Sequence, residues 1–396
     1  MSNIFCPLKG LRVIEMSHMI MGPSCGMFLA FMGAEVIKVE PPEGDKTRHL
    51  TGMGSGFFPT FNRGKKSITL NLKSVEGQKA LHSLLETADI FVENFRDQSL
   101  EKMGLAPEIL RAKYPKMIVA SCKGFLQGPY ENRTAMDEVV QMMTGMAYMT
   151  GPKGQPLRIG SSANDIMGGL FGAFSVLGAL LQREKDGEGH SVRVGLFENC
   201  LLLVAQHMVQ FDLEGREAPP MPEREFSWPV YDIFETKNGK QLFIGAVTEG
   251  QWAILCDILN LHYLTTDPKL QNRMDQIRAR DWTIPIITKA VLHFNSDELM
   301  DACEKSGIPF SPISRPAEMY NDPHVNREGG LLKSTLPQGG VFRAPGLPFE
   351  VDGKPLGGIK ADLPAVGKDT FEVLSLLGIS EKTIQAASSR DMEQAD

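Results

Sequence analysis

One acidic residue stands where a carboxylate could do chemistry, directly ahead of a long apolar segment. Asp165 precedes the run from Ile166 to Leu181, which contains four glycines. An aspartate at such a place can cap a helix by accepting hydrogen bonds from the first amides, and a carboxylate can also act as a nucleophile. Glycine inside a helix costs about 1 kcal/mol relative to alanine, so the glycines indicate close approach by a ligand or another backbone. Both interpretations of Asp165 stay open on these residues alone.

The first half of the chain alternates short β-rich segments with helix-like segments. Alternation at this spacing is typical of βαβ units, in which helices connect parallel strands. We therefore predict an α/β fold whose large domain contains a doubly wound parallel sheet. The predicted strands are residues 11–15, 35–39, 67–72, 89–93, 117–121 and 191–196, and the predicted helices include 24–32, 75–86 and 107–114.

A second domain begins after a stretch that reads as a linker. Residues 214–228 contain three prolines and six charged residues, a composition typical of an extended connection. Lys237-Asn238-Gly239 then separates two β-rich segments and predicts a hairpin, and helical periodicity follows it. We predict a large domain from residues 1–213 and 325–396, a linker at 214–228, and a small α+β domain at 229–324.

The composition restricts the function classes. The 396 residues carry a formal net charge of -7, which argues against a nucleic-acid partner. The apolar run before Gln182 is short for a membrane span and predicts a buried helix, and we expect no membrane partner. Six scattered cysteines without a CxxC pair indicate a reduced, cytoplasmic protein, and no metal-ligand spacing is present.

The segment from Pro156 to Glu198 resembles the signature of class III coenzyme A transferases. Pro156, Arg158 and Asp165 match that signature, which ends here in Leu196-Phe197-Glu198. Further blocks of the family occur in the same order, so the resemblance covers most of residues 8–200. Those blocks lie at residues 8–13, 22–23, 33–42, 44–48, 62–73, 88–96, 124–130 and 137–145.

The resemblance implies an activity and a mechanism. In the family the residue matching Asp165 is the nucleophile, and CoA moves between carboxylic acids through an aspartyl anhydride and an aspartyl-CoA thioester. CoA and acyl-CoA are then substrates, and no permanent cofactor is expected. The runs at 123–130 and 147–151 are similar to the branch acting on small dicarboxylates such as succinate, mesaconate, itaconate or citramalate.

The resemblance also implies a CoA site. Lys73, Arg96 and Lys102 could pair with the phosphates, although each could equally be a solvated surface charge. The family often has Pro-Gly after Arg96, whereas this chain has Asp97-Gln98. Ile20 replaces a glutamine of formyl-CoA transferases, which makes formate and oxalate less suitable acids. The predicted CoA contacts are Ile20, Met21, Leu70, Asn71, Leu72, Lys73, Asn94, Phe95, Arg96, Lys102, Arg133 and Met136.

The acid must be recognised separately from CoA. A buried second carboxylate needs a cation, and we predict Arg48 and Arg158 for that role, with His18 as a further substrate contact. Arg158 is the weaker candidate for specificity, because the family often has an arginine there whatever the acid. Ordinary salt bridges would explain both arginines equally well. The segment 246–252, which corresponds to a glycine-rich loop of formyl-CoA transferases, is either a shorter lid or a plain strand-to-helix turn.

Two other functions compete with CoA transfer. Related α-methylacyl-CoA racemases abstract an α-proton and have a histidine just before the position of Asp137, but here that residue is Met136, and His18 does not match. A non-catalytic CoA-binding protein on the same scaffold is the third possibility. The resemblance further implies a homodimer of two interlocked chains, with the linker wrapped around the partner.

Overall fold

The computed structural model describes residues 5–224 and 227–389. The chain divides into two compact units, one formed by residues 1–222 with 326–396 and the other by residues 223–325. The predicted linker at 214–228 spans the first division, and the predicted boundary at 324 lies one residue before the second. The larger unit therefore combines segments from both sides of the smaller one.

Six strands of the larger unit form one parallel sheet. They lie in the order β3-β2-β1-β4-β5-β6, and each neighbouring pair is parallel. The predicted parallel α/β sheet is therefore confirmed. Strand order reverses between β1 and β4, where the carboxyl ends of open α/β sheets form a ligand crevice. The strands are β1 Arg12–Met16, β2 Glu35–Glu40, β3 Lys66–Thr69, β4 Ile90–Glu93, β5 Ile118–Lys123 and β6 Ser191–Gly195.

Helices cover both faces of this sheet. Because side chains alternate along a strand, Val13 and Ile14 point to opposite layers of buried apolar residues. The layer that contains Val13 packs on α1, α8 and α9, whereas the layer that contains Ile14 packs on α3 and α5. The helices are α1 Met21–Phe31, α2 Phe57–Phe61, α3 Val75–Leu85, α4 Asp97–Met103, α5 Pro107–Lys113, α6 Asp137–Met143, α7 Met146–Thr150, α8 Ala163–Asp186 and α9 Leu196–Glu214.

Helix α8 is the one helix in the described residues that is long and apolar enough to cross a membrane by length and composition. The prediction of a buried helix holds for one face only. Gly168, Gly169 and Gly172 are buried, whereas Phe174 and Leu181 on the outer surface are 68% and 67% exposed.

The smaller unit is α+β. Strands β7 Val230–Glu235, β8 Gln241–Ala246 and β9 Phe310–Pro312 form an antiparallel sheet. A short loop joins β7 and β8, in which the N–H of Gly239 donates to the carbonyl oxygen of Thr236 at 2.9 Å and Gly239 has a left-handed φ of +72°. The helices of this unit are α10 Glu249–Ile258, α11 His262–Thr265, α12 Arg273–Arg278, α13 Arg280–Val291 and α14 Ser296–Lys305.

The last segment returns to the larger unit. It contains the pairs β10 Leu331–Thr335 with β11 Val341–Pro345 and β12 Glu350–Val351 with β13 Lys354–Pro355, followed by α15 Thr370–Leu376 and α16 Glu381–Ser388. The amide of Asn71 donates to the carbonyl of Ala387 in α16 at 2.7 Å. That bond explains why β3 ends at Thr69 and not at Leu72 as predicted, because the chain turns there towards the C-terminal helices.

Two helix starts differ from the sequence predictions. Helix α1 begins at Met21, so that Pro23 lies in its first turn, where proline is tolerated because those amides have no helical partner. Helix α8 begins at Ala163 after Ser162. Asp165 is therefore a first-turn residue and not the N-cap.

Candidate active site

The start of α8 is pressed against the start of α1. A Cβ atom added to Gly169 would lie 2.4 Å from Ser24 Cβ and 2.7 Å from the carbonyl oxygen of Met21. A Cβ atom on Gly168 would meet the Met21 side chain at 2.7 Å. The glycines of α8 therefore accommodate another backbone. Gly168 and Gly169, one turn after Asp165, thus pack against the first turn of α1.

A carboxylate from α6 holds the backbone at Asp165. The N–H of Asp165 donates to Oδ2 of Asp137 at 3.2 Å, and the side-chain amide of Gln141 donates to the other oxygen of Asp137. Gln141 is itself oriented, because its Oε1 accepts from the backbone N–H of Ile159 at 2.9 Å. Asp137 thus binds the backbone of Asp165, and Gln141 links Asp137 to the segment that contains Ile159.

The residue before Asp165 is fixed from the opposite side. The side-chain amide of Asn199 in α9 donates to the carbonyl oxygen of Asn164 at 2.8 Å, and Asn164 donates to the carbonyl oxygen of Leu196 at 3.2 Å. Asn164 and Asn199 are both buried. The first turn of α8 is therefore held by α6 and by α9.

The surroundings of Asp165 disfavour its charged form. Burial first, and then the negative charge of Asp137, raise the pKa of Asp165 to about 7, while the positive charge of Arg158 opposes the rise. The Arg158 guanidinium donates to the carbonyl oxygens of Ile159 and Ser161 and lies 3.6 Å from Glu138. Arg158 is thus the predicted substrate-binding arginine whose charge reaches Asp165.

Arg48 occupies a different environment. Its guanidinium donates to both oxygens of Glu40, at 2.6 and 2.7 Å, and to the carbonyl oxygen of Pro364. The guanidinium also lies 3.9 Å from the centre of the Phe58 ring. These partners already satisfy the charge of Arg48, so the ordinary salt-bridge interpretation describes its visible contacts. Its predicted contact with the substrate stays a prediction.

Several of the predicted CoA contacts line one cavity at the ends of β1, β4 and β5. Its volume is about 380 Å³. His18 and Asn94 bind each other there, because the His18 N–H donates to Asn94 Oδ1 at 3.1 Å and Asn94 Nδ2 donates back to the His18 carbonyl at 2.8 Å. Arg96 donates to Thr134 at 3.0 Å and so joins two walls. The cavity brings together the predicted residues His18, Asn94, Phe95, Arg96 and Arg133.

The other predicted CoA contacts do not line this cavity. Ile20, Met21 and Leu70 are buried with their side chains in the core, so any contact with a ligand would come from their backbone. Asn71 accepts from the N–H of Lys73 and shapes the turn after β3. Leu72 packs against the core, Lys73 and Lys102 lie on the surface, and Met136 is 62% exposed just before α6.

One lysine that lines the cavity, Lys123, is not among the predicted site residues. Lys123 Nζ donates to the carbonyl oxygen of Phe95 at 2.6 Å and lies within 3.0 Å of Glu93 and Asp97. The loop that carries Asn94 and Arg96 is therefore tied to the end of β5. A lysine that ends a strand of apolar residues was the available signal, but its partners are 26 or more residues away.

A second buried lysine fixes the neighbouring loop in the same manner. Lys38 Nζ donates to the carbonyl oxygen of Ser17 at 2.6 Å and lies 3.0 Å from Asp45. Glu15 also lies at 3.4 Å from Lys38 and at 2.7 Å from Lys65. The buried ionic network around Lys38 thus fixes the backbone at Ser17, the residue before His18.

Comparison with known protein families decides the class of this chain. A family model described as CoA-transferase family III matches residues 8–370. The chain belongs to CoA-transferase family III. The family and the enzyme class inferred from the sequence are thereby confirmed, and this family III member is an acyl-CoA:carboxylate CoA-transferase.

Curated relatives share nearly the whole length of this family III chain. A succinate–glutarate CoA-transferase from Agrobacterium fabrum is 31% identical over 396 residues, covering 97% of this chain and 98% of the relative. An acetyl-CoA:oxalate CoA-transferase from Acetobacter aceti is 33% identical over 355 residues, covering 88% and 90% of the two chains. A solved CAIB/BAIF family protein from Brucella suis has a TM-score of 0.84 at 28% identity, covering 94% of this chain and 99% of that one.

The segment predicted as a lid or a turn has a well-defined local structure. Thr248 accepts a hydrogen bond from the N–H of Gln251 and caps α10, so Gly250 lies inside a helix. Residues 246–252 therefore contain the end of β8, a short turn and the first turn of α10. A lid function for this segment stays a prediction.

Proposed function

We propose that this family III enzyme transfers CoA between small dicarboxylic acids through covalent intermediates on Asp165. The observation that carries the proposal is the placement of Asp165. Its carboxylate lies in the first turn of α8, where α6 and α9 fix the backbone and burial raises its pKa. A group held in one geometry and withdrawn from water is suited to repeated acyl exchange.

The exchange has two halves. The ionised carboxylate of Asp165 attacks the thioester carbonyl of the donor acyl-CoA, giving a mixed anhydride and releasing the CoA thiolate. The thiolate attacks the aspartyl carbonyl, so that an aspartyl-CoA thioester forms and the donor acid leaves as a carboxylate. The acceptor carboxylate then repeats both steps in reverse, and the thioester bond is never lost to water.

The protein contributes position and polarity to these steps. Each attack creates a tetrahedral oxyanion that requires hydrogen-bond donors. The positive end of α8 lies next to Asp165, and Arg158 supplies a positive charge that acts on the carboxylate. These groups favour the oxyanion, while packing of α8 against α1 keeps the attacking atom in place.

The nucleotide part of CoA is proposed to bind in the 380 Å³ cavity. Arg96 and Arg133 line it and can pair with phosphate oxygens in the forked geometry that arginine favours. Lys73 and Lys102 extend the proposed positive surface beyond it. The fixed backbone of residues 94–96 offers polar groups for the adenine.

The acid is proposed to be a small dicarboxylate. The relatives are named for succinate, glutarate and oxalate, which have two carboxylates, and one of them also for acetyl-CoA. Arg158 is the better-placed cation for the second carboxylate, because its charge acts on Asp165 whereas Arg48 is held by Glu40. One relative uses oxalate in its name, whereas Ile20 predicts that oxalate is a less suitable acid for this enzyme. Transfer rates with oxalate, succinate and glutarate would compare acids of different length.

Exchange kinetics test the proposed function. We expect labelled CoA to exchange with acyl-CoA in the wild-type enzyme when an acid acceptor is present. Asp165→Asn should abolish the exchange while CoA still binds, because the nucleophile is lost and the nucleotide cavity is unchanged. Full exchange in Asp165→Asn, with deamidation excluded by mass spectrometry, would contradict the proposal.

The enzyme is also proposed to be a homodimer of interlocked chains. The outer surfaces of α8 and α9 expose large apolar side chains that a second copy would cover. These exposed residues are Leu170, Phe174, Leu181, Leu202, Met208, Val209, Phe211 and Leu213. Light scattering at micromolar concentration should give twice the 43.6 kDa mass of one chain.

A further inference from the structure

A second carboxylate lies against the residue that we propose as the nucleophile. Asp137 is buried, and its Oδ2 accepts from the N–H of Asp165 at 3.2 Å. Its other oxygen accepts from the amide of Gln141. Gln141 cannot reverse that amide, because its Oε1 accepts from the N–H of Ile159. Both oxygens of Asp137 are therefore acceptors, as an ionised carboxylate requires.

Orientation of the Asp165 backbone needs only one acceptor. An asparagine has the same shape and its Oδ1 could accept from the N–H of Asp165, although its Nδ2 would then face the donating amide of Gln141. A carboxylate adds negative charge beside a group that must itself be anionic in order to attack. Two neighbouring carboxylates with little access to water oppose each other's ionisation.

The other charged groups around the pair are few among the described residues. Arg158, in the loop before α8, acts on Asp165 in the opposite sense to Asp137, and Glu138 of α6 lies against Arg158 at 3.6 Å. Cys200 of α9 faces Asp137, and burial together with that charge raises the pKa of its thiol. The carboxylate of Asp137 is thus the one negative group acting directly on Asp165 within this part of the chain.

We infer that the charge of Asp137 shifts Asp165 from its free carboxylate towards its acylated state. The inference rests on the proposed function. In the half-reaction, ionised Asp165 and acyl-CoA give the aspartyl-CoA thioester and a free carboxylate, so the negative charge leaves with the acid. The thioester is neutral, and its formation removes the repulsion between the two aspartates.

Protonation and acylation both neutralise the Asp165 carboxylate, so the same repulsion favours both. Removal of the Asp137 charge must therefore lower the pKa of Asp165 and lower the equilibrium constant for the thioester by matching powers of ten. A purely structural role for Asp137 predicts no such match. We expect a shift of about one pH unit and a fall of about tenfold.

The test compares Asp137→Asn with Glu138→Gln. The second variant is the control, because it removes one negative charge from the next residue, whose side chain is exposed. Intact-mass spectrometry measures the fraction of enzyme carrying CoA at defined ratios of succinyl-CoA to succinate at pH 8.5, and stopped-flow kinetics give the pH dependence of the half-reaction. In Asp137→Asn we expect the pKa of Asp165 and the logarithm of the equilibrium constant for the thioester to fall by the same amount. In Glu138→Gln we expect each to change by at most about 0.3, because exposed charges are screened. Unchanged adduct and pH dependence in Asp137→Asn, or a change in only one of them, would overturn the inference.

A wild-type measurement covers the possibility that Asp137→Asn does not fold. If Asp165 holds a proton below pH 7, loading the enzyme from succinyl-CoA must release that proton, as reported by an indicator dye. We expect most of one proton per site at pH 6.5 and almost none at pH 8.5. No release at pH 6.5 despite adduct formation would overturn the inference. No adduct on Asp165 at any pH would instead contradict the proposed function.

Discussion

The Nζ of Lys123 donates a hydrogen bond to the carbonyl oxygen of Phe95 at 2.6 Å. Lys123 ends β5, Phe95 follows β4, and Glu93 between them is fully buried against the lysine. The side chain of Lys123 therefore fixes the position of residues 94–96, which line the proposed CoA cavity. The relationship joins two neighbouring strands at the carboxyl edge of the sheet, where ligands of this class of fold bind.

Replacement of Lys123 should weaken CoA binding more than it slows turnover. In Lys123→Met the Phe95 carbonyl loses its donor and Glu93 loses its buried counter-ion, which costs on the order of 3–5 kcal/mol of stability. We expect the KM for acyl-CoA to rise about tenfold or more while kcat changes less. Lys79→Met, at an exposed site on α3, is the matched control and should leave both values unchanged. A folded Lys123→Met enzyme with an unaltered KM would refute this role.

The two arginines predicted to hold the second carboxylate should behave differently. Arg158→Met should reduce transfer to succinate roughly tenfold more than transfer to butyrate, because one charged contact contributes about 1.4 kcal/mol. Arg48→Met should reduce both acids equally, since its visible partners are Glu40, Pro364 and Phe58. Steady-state kinetics with the two acceptors give the comparison. A diacid-selective loss confined to Arg48→Met would reverse the assignment.

Two glycines of α8 offer a matched pair for testing its packing. Gly169→Ala should destabilise the enzyme by about 1–3 kcal/mol and reduce transfer, because the new methyl group would overlap Ser24 and the Met21 backbone. Gly178 has open space around it, so Gly178→Ala should stabilise the same helix by about 0.5–1 kcal/mol. Denaturant unfolding and transfer rates measure both effects. Equal stabilisation by the two substitutions would show that α8 does not pack against α1 at Gly169.

The raised pKa of Asp165 makes the free energy of unfolding depend on pH. Its ordinary pKa is about 3.9 and its folded pKa about 7, so between those values the folded enzyme binds the proton that the unfolded chain has lost. This residue therefore lowers stability as pH rises from about 4 to 7. Asp165→Asn should be more stable than wild type at pH 8 by on the order of 2–4 kcal/mol, and the two should converge near pH 4. A variant that is less stable at pH 8 would contradict the burial of this charge.

The alternation of β-rich and helical segments was sufficient to predict the parallel sheet, because periodicity and glycine-rich turns are local signals. Strand lengths were less predictable. Residues 70–72 have the composition of a strand, but Asn71 donates its amide to Ala387, more than three hundred residues further on. Such a pairing depends on the folded chain and leaves no trace in the local pattern.

The candidate site divides in the same way. Asp165 could be singled out because the family signature that it matches extends over the residues next to it. Asp137 and Gln141 were visible only as parts of a matching block, and their hydrogen bonds to Asp165 and Ile159 needed the structure. The partners of Arg48 were equally hidden, since a guanidinium binds a substrate and a buried glutamate with the same geometry.

Covalent attachment of CoA to Asp165 can be measured by mass spectrometry of the enzyme loaded from succinyl-CoA. Wild-type enzyme is incubated with succinyl-CoA without an acceptor acid, trapped with hydroxylamine, digested and sequenced. Hydroxylamine converts an acylated aspartate to a hydroxamate, and we expect that mark on Asp165 alone, with none in Asp165→Asn. A hydroxamate on another carboxylate, or transfer activity with Asp165 unmodified, would contradict the account.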